Sequence, residues 1–332
     1  MHNATTYTQP RAVVRTLDPR PLLRNAWKAN RPLTLLGLAM IATFVVSLAG
    51  LALDSRVITG APAWLKPMKF AISISIYSFT LVWMLGLVQG WPRLKRVISL
   101  VITVAMFGEM VGIVIQVLRG VPSHFNASTL FDAKLFDIMG SMIMVVWVMT
   151  LLVMILLLRQ RLPDRALAWS LRLGLLITLV GMASGFLMTS PTPSQQAELR
   201  AGHNVAMIGA HSVGVPDDGP GMPITGWSTT GGDLRIGHFA GLHALQALPL
   251  VGWLLGRRRA RRLGNGHRVA LVLVAGLAYL GLTVLLLWQA LRGQPLLAPD
   301  ATTLLALGGL LGITTISGAG IIAHGKKYNT AS

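Results

Sequence analysis

The chain has 332 residues, of which 53% are hydrophobic and only 12% are charged, too few charges for an ordinary soluble domain, where about a quarter are charged. Its formal net charge of +18 would suggest nucleic-acid binding in a soluble protein, but the apolar composition indicates a membrane protein instead. Because the chain contains no cysteine, it cannot form disulfides, thiolate nucleophiles, iron–sulfur clusters or c-type haem linkages.

Eight apolar stretches are each about 20 residues long, the length that an α-helix needs to cross about 30 Å of hydrocarbon. They lie at 33–53, 69–90, 97–118, 136–158, 170–190, 237–255, 268–291 and 302–323. The chain is therefore predicted to be an all-α, polytopic membrane bundle. It comprises a basic leader at 1–32, a single eight-span domain at 33–323 and a short tail at 324–332. The leader is too long for a secretory signal, so the first span is expected to be retained.

Basic residues are concentrated on one predicted side of the membrane. Of the 29 lysine and arginine residues, 21 fall in the leader, near 93–96, in 159–172, in 257–268 and at Lys326 and Lys327. The positive-inside rule makes this side cytoplasmic, with both termini inside, and the run RRRARR at 257–262 a topology determinant. Short basic connections and the absence of a serine-rich leader favour a bacterial inner membrane. The expected partner is the lipid bilayer, and no nucleic-acid partner is expected.

Span 2 opens with a polar stripe. Lys66, Lys69, Ser73 and Tyr77 follow one another at offsets of three, four and four, so they share one helix face. The two lysines could extend to lipid headgroups or attract an anionic substrate.

Span 3 carries an ionisable residue in its middle. Glu109 is followed on the same face by Gln116 and Arg119, which indicates a polar cavity opening toward the extracytoplasmic side. Glu109 is either a neutral, hydrogen-bonded structural residue or a proton, ligand or metal site. In the next span Asp137 shares a face with Ser141 and is also assigned to the cavity, although an Asp near a helix start often acts only as a cap.

The connection at 191–236 is the longest in the chain, and we interpret it as a structured lid on the extracytoplasmic side. Its first part has the composition of a surface or re-entrant helix, and its second part is rich in glycine and proline and is expected to be irregular. No similarity between the first four and the last four spans is apparent, so an inverted-repeat transporter is not supported.

Span 6 has two histidines in its extracytoplasmic half. His238 and His243 are about 140° apart on an ideal helix, so both can bind one metal only if the helix is distorted. Arg235 shares a face with His238 and is assigned to the polar cavity. Thr230 and Asp233 match a T-x-x-D capping box at the start of this span.

Span 8 contains Gly308 and Gly312 in a G-x-x-x-G motif. Such a motif lets helices approach closely, either within the bundle, which we favour, or in a homo-oligomer.

Three functions remain open at this level. The leading hypothesis is a membrane enzyme or redox protein with a His/carboxylate site under the lid, in which His211, His238 and His243 bind metal and His124 and Glu109 act in acid–base chemistry. Zinc, non-haem iron or a single b-type haem would suit such ligands, although H-E-x-x-H and related spacings are absent. The second hypothesis is a small-solute or proton-coupled transporter or channel, in which Glu109 is the switching charge and Lys66, Lys69 and Arg119 attract anions. The third is a membrane scaffold.

Overall fold

A computed structural model describes residues 19–257 and 263–329, and these residues form an all-α bundle. Within them, eight helices are long and apolar enough to cross a membrane, which confirms the predicted polytopic architecture. The first 18 residues of the leader and most of the RRRARR run lie outside the described residues. The elements, in chain order, are α1 (Arg20–Ala29), α2 (Arg31–Leu53), β1 (Val57–Ile58), β2 (Ala61–Pro62), α3 (Leu65–Leu87), α4 (Pro92–Arg119), α5 (Leu130–Arg159), α6 (Arg165–Ala183), α7 (Gly185–Thr189), α8 (Pro193–Arg200), β3 (Ser212–Val213), β4 (Gly232–Asp233), α9 (Leu234–Leu255), α10 (Asn265–Leu291) and α11 (Ala301–Asn329).

Most of these helices extend beyond the apolar stretches that predicted them. α5, for example, begins at Leu130, six residues before the predicted start, because Thr129 caps it by accepting a hydrogen bond from the Asp132 amide. α4 begins at Pro92 and ends at Arg119, and the next residue, Gly120, adopts the left-handed conformation that closes helices. Hydropathy locates the part of a helix that suits hydrocarbon, whereas capping residues decide where the helix ends.

The bundle has two ends, which we name from their connections. The lid face carries the connections 54–64, 120–129, 190–233 and 292–300, and the basic face carries the shorter ones, which include 88–91 and 160–164. The long connection is less helical than expected, because α8 stops at Arg200 before the left-handed Gly202. Its remainder is bonded to the 120–129 connection: the Ala127 amide donates to the Ala206 carbonyl, and the Ile208 amide donates to Phe125, both over 2.8 Å.

The eight long helices form two groups of four that pack in the same way. In each group the first helix packs on the second and the third, the second packs on the third, and the third packs on the fourth. The groups are α2, α3, α4, α5 and α6, α9, α10, α11, and they meet mainly where α5 contacts α6 and where α3 contacts α9. In both groups a pair of short antiparallel strands forms part of the connection between the first and second helices, β1–β2 in one and β3–β4 in the other.

A shared motif closes the third helix of each group. Residues 116–122 read QVLRGVP at the end of α4, and residues 289–295 read QALRGQP at the end of α10. In both motifs the glutamine side chain donates to the carbonyl of the proline six residues later, and the glycine has a left-handed φ, 73° at Gly120 and 71° at Gly293. Each motif arginine forms an ion pair with an aspartate near the start of the fourth helix.

The starts of the first helices also correspond. Asn30 caps α2 in the sequence NRPL, and Asp164 caps α6 in the sequence DRAL. Each cap side chain then reaches the beginning of the third helix of its group, Asn30 bonding to Ser99 and Asp164 to Arg268. The expectation of no similarity between the two halves was therefore wrong. The repeat is confined to short capping segments, and apolar spans of similar composition conceal it.

Glycines allow the closest helix contact in the second group. A Cβ added to Gly181 of α6 would lie 2.6 Å from the carbonyl carbon of Gly241 in α9, so the two backbones touch. By contrast, a Cβ added to Gly308 or Gly312 of α11 meets no atom of the described chain within 4 Å. The G-x-x-x-G motif of the last span therefore does not mediate packing between the described helices, as we had favoured, and homo-oligomerisation through it stays a prediction.

This difference gives a matched pair of variants. Gly181→Val forces apart two backbones in contact, so we expect a loss of stability of about 1–3 kcal/mol or failure to fold. Gly308→Val adds the same atoms in open space, and we expect an unchanged melting temperature. Thermal unfolding of both variants in the same detergent measures the difference, and equal destabilisation would contradict the close α6–α9 contact.

The cysteine-free chain also allows a clean test of orientation. Ala201→Cys adds a thiol to an exposed position of the lid face, and Gly266→Cys adds one to an exposed position of the basic face. A membrane-impermeant maleimide applied to intact cells is expected to label the first variant, and to label the second only after the cells are opened. The reverse pattern would place the basic face outside.

Candidate functional site

The carboxylate of Glu109 is buried in the bundle without a hydrogen bond. Its side chain is 1% exposed, and within the described chain neither oxygen has a hydrogen-bond partner. The nearest basic group is the His124 imidazole, whose Nε2 atom lies 3.4 Å from the Glu109 Oε1 atom. Burial of a carboxylate without hydrogen bonds is energetically costly unless a nearby cation or a bound proton neutralises it, so Glu109 is the first candidate for a functional residue.

His124 covers Glu109 from the 120–129 connection and is packed among aromatic rings. Its ring centre lies 5.8 Å from those of Phe70 and Phe136 and 6.3 Å from that of Phe125. Burial lowers the pKa of His124, the positive charge of Lys66 lowers it further, and Glu109 opposes both effects. His124 is therefore neutral at neutral pH and can donate or accept one proton beside Glu109.

Lys66 lies close to this pair beneath the lid, and Lys69 and Arg235 lie near Lys66. The Lys66 ammonium feels the charges of Glu109, Lys69 and Arg235. It is half-buried, lies 6.0 Å from the centre of the Phe70 ring, and makes no hydrogen bond or ion pair within the described chain. Lys69 and Arg235 bond to carbonyl oxygens of the lid. Of the predicted cavity residues, the structure thus brings together Lys66, Lys69, Glu109 and Arg235, with His124.

The other lid histidine forms an anchored dyad. The Nδ1 atom of His211 lies 2.9 Å from the Asp217 carboxylate, which also accepts hydrogen bonds from the backbone amides of His211 and Ser212. The His211 ring packs against Phe125, with centroids 4.8 Å apart, which joins this dyad to the aromatic shell around His124. Sequence reasoning did not assign Asp217 to a site, because a partner six residues away in a loop has no periodicity that would reveal it.

Arg235 is held by the start of α9. Asp233 is fully buried and is itself the cap of this helix, since it accepts from the Arg235 amide, and it also forms an ion pair with the Arg235 guanidinium over 2.6 Å. The predicted capping box with Thr230 is wrong, because the helix begins only after Asp233. The β3–β4 pairing places Asp233 opposite Ser212, so the chain is extended up to Asp233 and becomes helical only from Leu234.

Gln116 and Arg119, predicted to line the cavity with Glu109, belong to the repeated closing motif. Gln116 donates to Asp132 over 2.8 Å, and Arg119 forms an ion pair with the same carboxylate, which is buried. Because Gln289 and Arg292 make similar contacts in the second group, these residues are explained by the need to close a helix. The same alignment gives Glu109 no acidic counterpart: Leu282 stands seven residues before Gln289, as Glu109 stands before Gln116.

The three histidines predicted to bind metal lie apart. His238 contacts the Gly181 carbonyl through Nδ1 over 2.7 Å, His243 is exposed on the surface of the bundle, and His211 is engaged with Asp217. No group of three or more His, Asp or Glu residues in the described ranges is placed to hold a metal ion. The zinc, iron and haem predictions used these same ligands, and the placement gives them no support.

The remaining candidates lie away from Glu109. Tyr77 bonds to Thr150 of α5 over 2.6 Å, and Ser73 is half-buried on the same face of α3. Asp137 is exposed in a groove between α4 and α5, with Ser141 beside it. Polar side chains therefore gather at the lid end of α3 and α4, and Asp137 lies outside that group; a cavity among them stays a prediction.

Comparison with known proteins identifies no relative: no family model matches the chain, and neither a curated protein nor a solved structure is significantly similar to it.

The His211 dyad makes stability depend on pH. Burial lowers the pKa of His211 from 6.5 to about 4, although Asp217 opposes the shift. Below pH 6.5, His211 becomes protonated in the unfolded chain but stays neutral in the folded protein until the pH approaches 4. Protonation therefore stabilises the unfolded state, and the free energy of unfolding should fall between pH 6.5 and 4. His124, with its lowered pKa, adds to the effect in the same direction.

His211→Gln removes this titration while it retains a side-chain amide that can donate to Asp217. We expect its melting temperature to fall less than that of the wild type when the pH is lowered from 6.5 to 4, as measured by thermal unfolding in detergent. Parallel curves for the two proteins would show that His211 is not kept neutral by the fold.

Proposed function

We propose that the protein is a proton-coupled membrane transporter for a small solute, and that Glu109 is its proton-binding carboxylate. The observation that carries this proposal is the Glu109 side chain itself, which is buried in the middle of a membrane-spanning helix with no hydrogen bond from the described residues. A structural carboxylate is normally satisfied by donors, as Asp132 and Asp233 are in this chain. Glu109 lacks such donors, and a proton or a solute would satisfy it.

The surroundings of Glu109 suit a change of charge. When Glu109 is ionised, Lys66 and His124 are the groups near enough to stabilise it. When it is protonated, Lys66 loses its nearest opposing charge and is free to attract another anion. Coupling between proton and solute therefore has a direct electrostatic cause, since one charge on Glu109 controls the affinity of the neighbouring cation.

Asymmetry between the two halves also supports the proposal. The residues that close the helices occur in both halves, which is expected of a scaffold. Glu109, by contrast, stands opposite Leu282 in the alignment of the two halves. Buried polar groups that one half retains and the other lacks are candidates for function. We place the protein, as part of this proposal, in the inner membrane of a bacterium.

The test compares Glu109→Gln with Glu198→Gln, the same chemical change at an exposed glutamate on α8. Reconstituted wild-type protein is expected to dissipate an imposed pH gradient faster than empty liposomes when a small-solute mixture is supplied, as reported by an entrapped pH-sensitive dye. Glu198→Gln should retain this flux, and Glu109→Gln should lose it because an amide cannot take up the proton.

Proton binding can be observed without transport. Infrared titration of the purified protein should show a protonated-carboxyl band that is present in the wild type and in Glu198→Gln and missing in Glu109→Gln. Proton flux that is unchanged in Glu109→Gln, together with an unchanged band, would contradict the assignment.

A further inference from the structure

The lid ends of α3 and α9 are equivalent positions of the two halves. α3 begins with LKPMKFA at 65–71, and α9 begins with LRIGHFA at 234–240, so Lys66 and Arg235 occupy the same place in their helices. The two helices contact each other, and Gln246 of α9 donates to Thr80 of α3 over 3.2 Å nearer the basic face. Equivalent helices from two repeats thus bring equivalent cations toward one point beneath the lid. In transporters built from repeats, solute sites lie at the junction between them.

Of the three cations at this junction, only Arg235 forms an ion pair with a carboxylate of the described residues. Arg235 has Asp233 as its partner, but within the described residues Lys69 bonds only to a carbonyl oxygen and Lys66 makes no hydrogen bond or ion pair. Lys66 also feels the positive charges of Lys69 and Arg235. Cations of like charge are held together, half-buried, in a protein with few acidic residues, and this arrangement favours an anion among them.

A turn of the lid supplies oxygen atoms to these cations. Lys69 Nζ donates to the Thr225 carbonyl over 3.0 Å, and Arg235 Nη2 donates to the Gly226 carbonyl over 2.6 Å. Two successive peptide oxygens therefore contact two cations, as the two oxygens of a carboxylate or phosphate would. The turn spans 223–227 and is closed by a hydrogen bond from the Met222 amide to the Trp227 carbonyl.

The turn bears signs of strain at its tip. Ile224 has a φ of +66°, a conformation that β-branched residues rarely adopt, and its side chain is 74% exposed. The neighbouring Thr225 hydroxyl is buried without a hydrogen-bond partner in the described chain. A strained residue and an unsatisfied hydroxyl both raise the free energy of the closed turn, so a ligand needs less binding energy to displace it.

We propose that Lys66, Lys69 and Arg235 form a binding site for a small oxyanion at the junction of the two repeats, and that the turn 223–227 occupies this site when the anion is absent. The Thr225 and Gly226 carbonyls stand where two oxygens of a carboxylate or phosphate group bind. The anion displaces the turn and pairs with Lys66, and the site opens toward the lid face. This inference rests on the proposed function, for which it names the class of solute.

Charge near the site should tune the affinity. The negative groups that face Lys66, Lys69 and Arg235 are Glu109, Asp217 and Asp233, and the neutral histidines nearby are His124 and His211. Protonation of Glu109 removes a competing charge next to Lys66. A wild-type protein should therefore bind a permanently charged oxyanion, such as sulfate, more tightly at lower pH, and this dependence should be reduced in Glu109→Gln.

Binding is measured first, on the full chain in an uncharged detergent, by isothermal titration with acetate, inorganic phosphate and sulfate, and with chloride at matched ionic strength as the reference. Saturable binding of at least one oxyanion is expected, with affinity reduced at least about tenfold in Lys66→Gln. Lys66 makes no hydrogen bond or ion pair in the described chain, so this variant should fold. Lys134→Gln, which changes an exposed lysine at the lid end of α5, is the control and should bind as the wild type does.

The turn is tested with a single thiol, since the chain has no cysteine. In Thr225→Cys the thiol replaces a buried hydroxyl, so we expect slow maleimide labelling that accelerates when the oxyanion is saturating and stays slow in chloride. Ala201→Cys, exposed elsewhere on the lid, should label at one rate in all conditions. Anion binding without any acceleration at Thr225→Cys would overturn the role of the turn.

The remaining outcomes separate the site from the function. No saturable oxyanion binding, or equal binding by the wild type and Lys66→Gln, would overturn the site. Binding only in nanodiscs that contain phosphatidylglycerol, and none of soluble anions, would assign the same chemistry to a lipid headgroup and overturn the solute. Oxyanion binding that depends on Lys66 in a protein with no proton flux would keep the site and remove the transporter.

Discussion

Apolar helices that cross a membrane must satisfy the hydrogen bonds of their free backbone groups where they leave the hydrocarbon. In this bundle the same set of residues does so at the end of two helices, one in each group of four. The motif Q-x-L-R-G-x-P closes α4 and α10 with a left-handed glycine, a glutamine that binds the carbonyl of the following proline, and an arginine that pairs with an aspartate at the next helix. Asn30 and Asp164 perform the corresponding task at the first helix of each half. The two four-helix groups are built on these ends.

Once the scaffold is recognised by its repetition, the unrepeated residues stand out. Gln116 and Arg119 belong to the scaffold although they share a helix face with Glu109. Of these three described residues, Glu109 alone lacks both a counterpart and a hydrogen bond. The lid then completes the site from the other side. It provides His211 and Asp217 as an anchored pair, and the carbonyls of Thr225 and Gly226 as ligands for two of the three cations.

The histidines illustrate how far residue type alone can mislead. His238 and His243 lie in one helix and suggested a metal site, but each side chain is directed by its local surroundings. His238 lies at the break between α6 and α7, where its Nδ1 contacts the Gly181 carbonyl and the Ser184 hydroxyl also donates to that carbonyl. His243 faces outward. Five residues separate them, and an undistorted helix turns them away from one another.

The number and positions of the spans, the basic face and the presence of an ionisable residue within span 3 followed from the sequence, because hydrophobic length, charge distribution and residue type are local properties. Lys66 and Lys69 could likewise be assigned to one face from their spacing. The partners of these residues could not be predicted, since Lys69 meets a loop carbonyl 156 residues away and His124 reaches Glu109 from a connection without periodicity. Only the tertiary structure decided which polar residues close helices and which meet beneath the lid, because both kinds look alike until their hydrogen bonds can be followed.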